Sequence, residues 1–473
     1  MSRINTNIPS LIAVRNLNTN SNALNVSLER LATGMKINRA ADNPAGLIAS
    51  ENLRAEKNAI QQAISNTTRA SNILATAEGA LNEVNSLLLD IQAKVTEAAN
   101  KGGISDAEIK ANQLAVDSAI NSINRIARNT QFQGIQLLNG NFQFATSGVT
   151  TSTVSDLSIN LAQISTGETY LPVKVDVVTS AEGAQLRYSG ATTGTGTTTV
   201  QIAGNKGSEV FSFASSTATS AVAFAINQSV DVTGVSAAMS GSTGMYLSSK
   251  TIGADAFVSV DVLAGTFAVQ DGDYETRDEG VDPVVTVNGA VADSDGQVVT
   301  VRTSTLDIKM ELAQAFAQST NDATFYVLAG GGATFQITQE VDSGGQITLG
   351  LPAIFDSNLG GSSGRLSTLK TGGTNQLSGS SLGTAQDVIE EAIGQVATLR
   401  GRLGAIQTNT LDTNINSLNI ALENATAAES LIRDTDFAEE TASLTRNQIM
   451  VQSASSVLRT ANAMPQNVLA LLG

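Results

Sequence analysis

The sequence predicts a mainly helical bundle or coiled coil made by paired N- and C-terminal segments, with a β-rich α+β region inserted between them. Three observations predict it. Residues 1 to about 140 and residues from about 384 to the end share one texture, rich in Ala, Leu, Ile, Asn and Gln. Residues from about 145 to 380 have another, rich in Gly, Ser, Thr and Val. Apolar residues recur every seven positions in both ends, the spacing that lays one helix face against another.

The rows can be read residue by residue. Leu17, Leu24 and Leu31 lie seven apart, with Leu28 between them. Ile60, Leu74, Leu81, Leu88 and Val95 share a register that only Thr67 interrupts, and Ala77, Val84, Ile91 and Ala98 share another. On the return side Leu411, Leu418, Ala425 and Ile432 form one row, with Ile415 and Leu422 beside it. Leu444, Val451 and Leu458 repeat the pattern near the end, as do Met450, Val457, Met464 and Leu471.

Helix punctuation follows. Gly34 can close the first helix in a left-handed cap. Asn43 and Pro44 read as an N-cap and first helical position. Lys101-Gly102-Gly103 is a turn, and Ser105 with Glu108 is a capping box that opens a third helix, with the apolar row Ile109, Val116, Ile120, Ile123 and Ala127. Asp436 with Glu439 opens the last helix. The breaks at Gly34–Pro44 and Arg433–Asp436 lie at matching distances from the two ends, so the termini are expected to run side by side with one shared hinge level.

The terminal arm is unlike a free-standing coiled coil. Such coils keep Lys and Glu at their flanking positions, whereas residues 1–28 carry Asn5, Asn7, Asn16, Asn18, Asn20, Asn22 and Asn25, with only Arg3 and Arg15 charged. Asn, Ser and Thr each cost a helix up to ~0.7 kcal/mol relative to Ala. Such an arm is expected to be poorly stable alone and to order when other copies cover its faces.

In the middle, strand-like runs occur at Val173–Val178, Thr197–Ile202, Val210–Phe213, Phe257–Val262, Val284–Val287, Val298–Val301, Thr324–Leu328 and Thr334–Thr338, some separated by turns at Asn288-Gly289 and Asp295-Gly296. Ala218–Asn227 and Leu306–Gln318 read as helices, and the Gly/Ser/Thr-rich stretch 359–383 reads as a linker.

Composition excludes more chemistry than it suggests. The chain of 473 residues contains no Cys and no His, so it has no thiol nucleophile, imidazole base, disulfide or His–Cys zinc site. A net charge of −16, with 4% aromatics and no Trp, makes nucleic acid and anionic lipid poor partners. Gly360-Gly361-Ser362-Ser363-Gly364 fits the G-x-S-x-G pattern of a nucleophile elbow, but no His exists to activate the serine. Ala329–Gly332 lacks the Lys-Ser/Thr of a phosphate loop and reads as a turn. Asp271, Asp273, Glu275, Asp278, Glu279 and Asp282 form an acidic cluster, yet Thr276 stands where a calcium loop needs Gly, so a solvated turn is expected. No catalytic residue, cofactor or metal is therefore expected. No stretch is long and apolar enough to span a bilayer, and Pro9 and Ser10 interrupt what would be the core of a cleavable signal.

Long stretches at both ends resemble the bacterial flagellins. At the front these are INTNIPSLIAVRNL, LERLATGMKINRAADNPAGLIASENLRA, AEGALNEVNSLL and TQFQGIQLLNG. At the back they are LGAIQTNTL and NATAAESLIRDTDFAEETASLTRNQIMVQSASSVLRTANAMPQNVLALLG. The resemblance implies a structural, self-assembling subunit of the flagellar filament used for swimming motility. It implies an inner coiled-coil assembly domain from 1–41 with 436–473, a helical rod domain from 42–170 with 384–435, and a variable, surface-exposed outer region over 171–383. In those terms Leu17, Leu24, Leu28, Leu31, Leu444, Val451 and Leu458 are coiled-coil or subunit packing residues. Leu74, Leu81, Leu88, Val95, Leu411, Leu418, Leu422 and Ile432 belong to the rod core.

The implied partners are copies of the chain itself in a helical homopolymer, a type III flagellar export apparatus, a chaperone for the C-terminal segment, and the filament-cap and hook-junction proteins. The implied location is extracellular, on the flagellum, reached without a cleaved signal. Many flagellins carry QRVRELAVQ where the flagellin-sensing Toll-like receptor docks. Here the aligned run is LDIQAKVTE, with Asp90 in place of Arg and Lys94 in place of Leu, so the resemblance does not carry that recognition over. Gly204 to Asn227 is similar to a short β-plus-helix motif of some flagellins and of cap and hook proteins. Two other readings use the same ends: a hook–filament junction protein, and a secreted adhesin whose Ser/Thr-rich middle binds a receptor.

Overall fold

The structure, a computed structural model, describes residues 6–164, 167–241, 244–270, 276–303, 305–342, 344–379 and 382–472. Asn5 and three members of the acidic cluster, Asp271, Asp273 and Glu275, lie outside the described residues, and the side chain of Leu471 is likewise not described. In chain order the α-helices are α1 (Ile8–Thr33), α2 (Pro44–Ala99), α3 (Asp106–Asn129), α4 (Thr219–Gln228), α5 (Val230–Thr233), α6 (Gln314–Ala317), α7 (Leu382–Ile406), α8 (Thr413–Arg433) and α9 (Phe437–Leu472). Helices occupy both ends and strands fill the middle, so the fold class is the predicted one. The chain forms two compact units, one of residues 1–68, 336–341 and 411–473, the other of residues 69–335 and 342–410.

The first unit holds α1, the start of α2, α8 and α9. Asn7 caps α1, its Oδ1 accepting from the Ser10 N–H at 3.1 Å. At the other end Gly34 takes φ 72° and its N–H closes onto the Arg30 carbonyl. Asn43 Oδ1 accepts from the Gly46 N–H at 2.9 Å, and α2 begins at Pro44. Asp436 does the same for α9, accepting from the Ala438 N–H at 2.8 Å. The two breaks are pinned together. Lys36 donates to the Arg433 carbonyl, Thr435 donates to the Gly34 carbonyl, and Met35 bridges Asp434 antiparallel. A Cβ on Gly34 would meet only Phe437 Cζ at 3.8 Å, so space is not the constraint. Gly34→Ala should therefore cost about 1–2 kcal/mol through the left-handed backbone alone, read as a lower denaturation midpoint of this unit.

Farther along the same unit, Ile60, Ala63 and Leu418 form a buried cluster with Leu422 packed partly against it. Leu411 is also buried, and Ile432 is half-buried. Thr67, the polar interruption of the heptad row, is fully buried yet satisfied: its hydroxyl donates to the Ala63 carbonyl at 2.8 Å and lies 3.4 Å from the amide nitrogen of Asn414. Lys57 and Arg54 of α2 both pair with Glu429 of α8, at 2.5 and 3.7 Å.

In the second unit, the remainder of α2 buries Leu74, Leu81, Leu88 and Val95 to 2% exposure or less, together with Ala77, Val84, Ile91 and Ala98. The α3 row Val116, Ile120, Ile123 and Ala127 is equally enclosed. Ser105 and Glu108 form the expected reciprocal capping box. Arg400 of α7 reaches Glu78 of α2 at 3.5 Å.

Residues 359–379 are not a linker, and residues 380 and 381 of the expected linker lie outside the described residues. Leu359, Leu366, Leu369 and Leu377 are buried, residues 360–365 form a tight hairpin, and Leu366–Leu369 is a 3-10 turn. Gln113 of α3 holds this stretch with both ends of its amide, donating to the Leu369 carbonyl and accepting from the Leu377 N–H, each at 2.8 Å. Gln395 of α7 does the same for Gly360, accepting from its N–H and donating to its carbonyl. A Gly/Ser/Thr composition reads as a loose tether, but four leucines at wide spacing are enough to dock it.

The β region contains two cores. In one, the five-stranded sheet that includes Tyr170–Thr179 and Asp322–Leu328 packs against the four-stranded sheet that includes Val154–Ala162 and Leu306–Leu312. In the other, two four-stranded sheets and α4 enclose Leu186, Ile202, Ile226, Leu247 and Val260. Asn288 and Gly289 both take positive φ, as a tight hairpin turn requires. The expected helix at Leu306–Gln318 is corrected: Leu306–Leu312 is a strand, and only Gln314–Ala317 is helical. Leu306, Ile308, Met310 and Leu312 are buried while Asp307, Lys309 and Glu311 alternate with them, a period of two.

One cross-strand pair carries an electrostatic conflict. Glu311 stands directly opposite Asp156, and Asp156 takes the nearby guanidinium of Arg365 at 3.1 Å. Burial first, then the carboxylates of Glu391 and Asp156, push the Glu311 carboxyl above its ordinary range, against a hydrogen bond from Ser362 and the charge of Arg365. A native carboxyl that holds its proton more tightly than the unfolded one loses stability as pH rises past the ordinary glutamate range. Glu311→Gln should therefore raise the urea midpoint of this unit at about pH 8 and leave it unchanged at about pH 3, which a pair of denaturation curves checks.

Candidate assembly interface

The helices α1 and α9 pack antiparallel, joined by residues hundreds of positions apart. Asn7 Nδ2 donates to the Ala461 carbonyl at 2.8 Å, and the Ser10 hydroxyl donates to Asn462 Oδ1 at 2.7 Å. Asn20 Nδ2 reaches the Met450 carbonyl at 3.5 Å, Asn447 Nδ2 donates to Ser27 Oγ at 3.2 Å, and Arg30 meets Glu440 at 3.5 Å. As the residue number rises on one helix it falls on the other.

The residues facing this seam keep heptad spacing, but in two kinds of row. Leu17, Leu24 and Leu31 on α1 and Leu444, Val451 and Leu458 on α9 are half-buried. Between them run rows of small or polar residues: Ala13, Asn20 and Ser27 on α1, and Glu440, Asn447, Ala454 and Ala461 on α9. The enclosed members are Ala13, Ser27, Glu440 and Ala461. The polar rows were the part that apolar periodicity alone misses. The signal for them is the same seven-residue step, read on Asn and Ser instead of on Leu. Polar groups at such positions fix register and orientation at some cost in stability. Leu28 is 47% exposed in the single chain: the seam steps from Leu24 to Ser27 and Leu31, and Leu28 lies at its edge.

The outer faces are apolar to an unusual degree. Ile8, Leu11, Ile12 and Leu28 are exposed on α1, and Ile449, Met450, Val457 and Met464 on α9. Met450, Val457 and Met464 are a heptad row of their own, left exposed beside the seam. An isolated exposed apolar side chain needs no explanation, but a periodic row along a helix marks a surface that a partner covers.

Of the remaining residues singled out in the sequence, Asp90 is exposed on α2, and Lys94 pairs with Glu97 one turn on at 2.7 Å. The Ser362-Ser363 turn donates to Glu391 Oε1. Among the described residues no cluster of His, Cys, Asp or Glu is arranged to hold a metal, and no helix is long and apolar enough to cross a membrane.

Residues 4–143 match the family model of the bacterial flagellin N-terminal helical region, and residues 386–472 match that of the bacterial flagellin C-terminal helical region. The flagellin of Salmonella rubislaw is 28% identical, with 99% of each chain aligned, and flagellin A of Helicobacter pylori is 27% identical at the same coverage. The B-type flagellin of Pseudomonas aeruginosa is 31% identical over 99% of each chain. The chain belongs to the bacterial flagellins. As a flagellin it is a structural subunit that polymerises with its own kind into the flagellar filament. The junction-protein and adhesin readings are not favoured by these relatives. The two family models bracket the region that α1 and α9 close, so the flagellin signature and the apolar outer faces fall on the same helices.

Proposed function

We propose that the α1–α9 pair is the segment through which this flagellin polymerises, and that its outer apolar rows become the contacts between copies. The observation that supports this most is the division of labour on the two helices: a partly polar seam joins them within one chain, while Met450, Val457 and Met464 stay exposed. In this reading residues 1–41 with 436–473 form the inner assembly domain, 42–170 with 384–435 the rod, and 171–383 the outer surface. Leu17, Leu24, Leu31, Leu444, Val451 and Leu458 hold the pair, and Leu28 contacts another copy. Gly34, Asn43, Pro44 and Asp436 set the hinge. Leu74, Leu81, Leu88, Val95, Leu411, Leu418, Leu422 and Ile432 keep the rod rigid.

The reading extends to the route. The chain leaves the cell unfolded through the flagellar export apparatus, with a chaperone on the C-terminal segment, and it adds beneath a cap protein on a filament seated on the junction proteins. It takes no cofactor and performs no catalysis, in keeping with a sequence free of His and Cys. Hydrogen exchange on monomer and filament tests the core of the proposal. Residues 8–33 and 437–464 should exchange freely in the monomer and become protected on polymerisation. Equal protection in both states would overturn it.

A further inference from the structure

At the hinge end of the α1–α9 pair lies a groove of about 700 Å³. Four carboxylates line it, those of Asp434, Asp436, Glu439 and Glu440, against two cations, and one of these, Arg30, is already engaged by Glu440. Val26 and Leu431 supply its apolar wall, and Leu431 is 87% exposed. The groove is therefore negative, with open apolar surface beside the charge.

The rest of the pair has the opposite sign. Both acidic residues of α9, Glu439 and Glu440, fall in its first turn, and the only charges after them are Arg446 and Arg459. On α1 the sole charge before Glu29 is Arg15. Arg15, Arg446 and Arg459 are exposed, and among the described residues none has an ion-pair partner. The Ser10–Asn462 and Asn20–Met450 hydrogen bonds bracket Arg15 and Arg459, so these two cations sit at nearly one level of the pair. The twenty residues from Glu439 to Arg459 span ~30 Å of helix.

We propose that this acidic groove receives the Arg15–Arg459 level of a second copy's α1–α9 pair, displaced along the helix axis. The inference rests on the reading of α1–α9 as the polymerising segment and specifies how successive copies are set against one another. Once ordered, a pair carrying an acidic site and a basic site at separate heights is complementary to a shifted copy of itself. Such a heterologous contact leaves one site unfilled at each end and therefore propagates as an open polymer. Val26 and Leu431 would cover the aliphatic stem of the incoming arginine while its guanidinium meets Asp434, Asp436 or Glu439.

Charge reversal on the full-length chain tests this. Arg15→Glu with Arg459→Glu should leave the circular dichroism of the monomer unchanged and raise the critical concentration for seeded polymerisation by about two- to thirtyfold, the effect of two lost exposed pairs before repulsion is added. Adding Glu439→Arg to Arg459→Glu in one chain should recover most of the loss seen with Arg459→Glu alone, because the two reversed sites face each other again between copies. Polymerisation of the Arg15→Glu/Arg459→Glu chain at the wild-type concentration would overturn the proposal, as would failure of the charge swap to rescue. The control is Val457→Asp on the apolar row. If that variant fails to assemble while the arginine reversals assemble normally, the axial pairing falls and the assigned role of α1–α9 stands. If Val457→Asp also assembles normally, that role falls with it.

Discussion

With Met450 and Val457 both replaced by Asp, the monomer should fold as before and polymerisation should cease at ordinary concentrations. Met450 and Val457 are 48% and 58% exposed, so a lone chain gives up little packing when they change. In a filament where another copy covers that face, completing the burial of each half-exposed side chain contributes about 1–1.5 kcal/mol. Losing two of them amounts to about 2–3 kcal/mol per added copy, or roughly 30- to 150-fold in critical concentration. The carboxylates add a further penalty wherever they are forced out of water. Sedimentation of seeded mixtures measures the soluble fraction directly. Pelleting at the wild-type concentration would show that this row is not at the contact.

The second large effect concerns the long helix. Leu81→Ala should destabilise the second unit by about 2–5 kcal/mol, because Leu81 is completely enclosed and its removal leaves a cavity. Leu89→Ala, on the same helix, should shift stability by no more than ~0.5 kcal/mol, since Leu89 is 48% exposed. The two residues are of one type, so the contrast isolates the heptad register from composition. Guanidinium curves for the two variants give the difference. Similar losses at both positions would mean that the assigned face of α2 is wrong.

The long helices were legible because three separate signals agree on each boundary. Gly34 needs its left-handed φ, Asn43 and Asp436 each take a backbone N–H, and the apolar rows between them keep one period over many turns. The strands at Val284–Val287 and Val298–Val301 were legible for the same reason, a short β-branched run with a Gly-containing turn nearby. Leu306–Leu312 was not, because its Leu, Met, Lys and Glu residues are good helix formers, and local propensity outweighed the period of two. The docking of 359–379 was hidden because its anchors are single leucines and its backbone is held at Leu369, Leu377 and Gly360 by Gln113 and Gln395 from distant helices.

The interface was half legible. The leucine rows identify which helices pair, but the hydrogen bonds of Asn20, Ser27 and Asn447 are made across more than four hundred residues. No local pattern states that an asparagine on one helix will meet a carbonyl or a hydroxyl on the other.

That separation also sets when the pair can form. Asn7 and Ala461, which close the pair, are 454 residues apart, so the first helix to be synthesised can find its mate only after nearly the whole chain has been made. A product broken off early, or clipped by a protease near its finish, has a lone first helix with a half-polar face and nothing to zip against. With α1–α9 as the polymerising pair, as proposed, the earliest segment waits on the latest, and a copy without its α9 offers no paired face for another copy to cover.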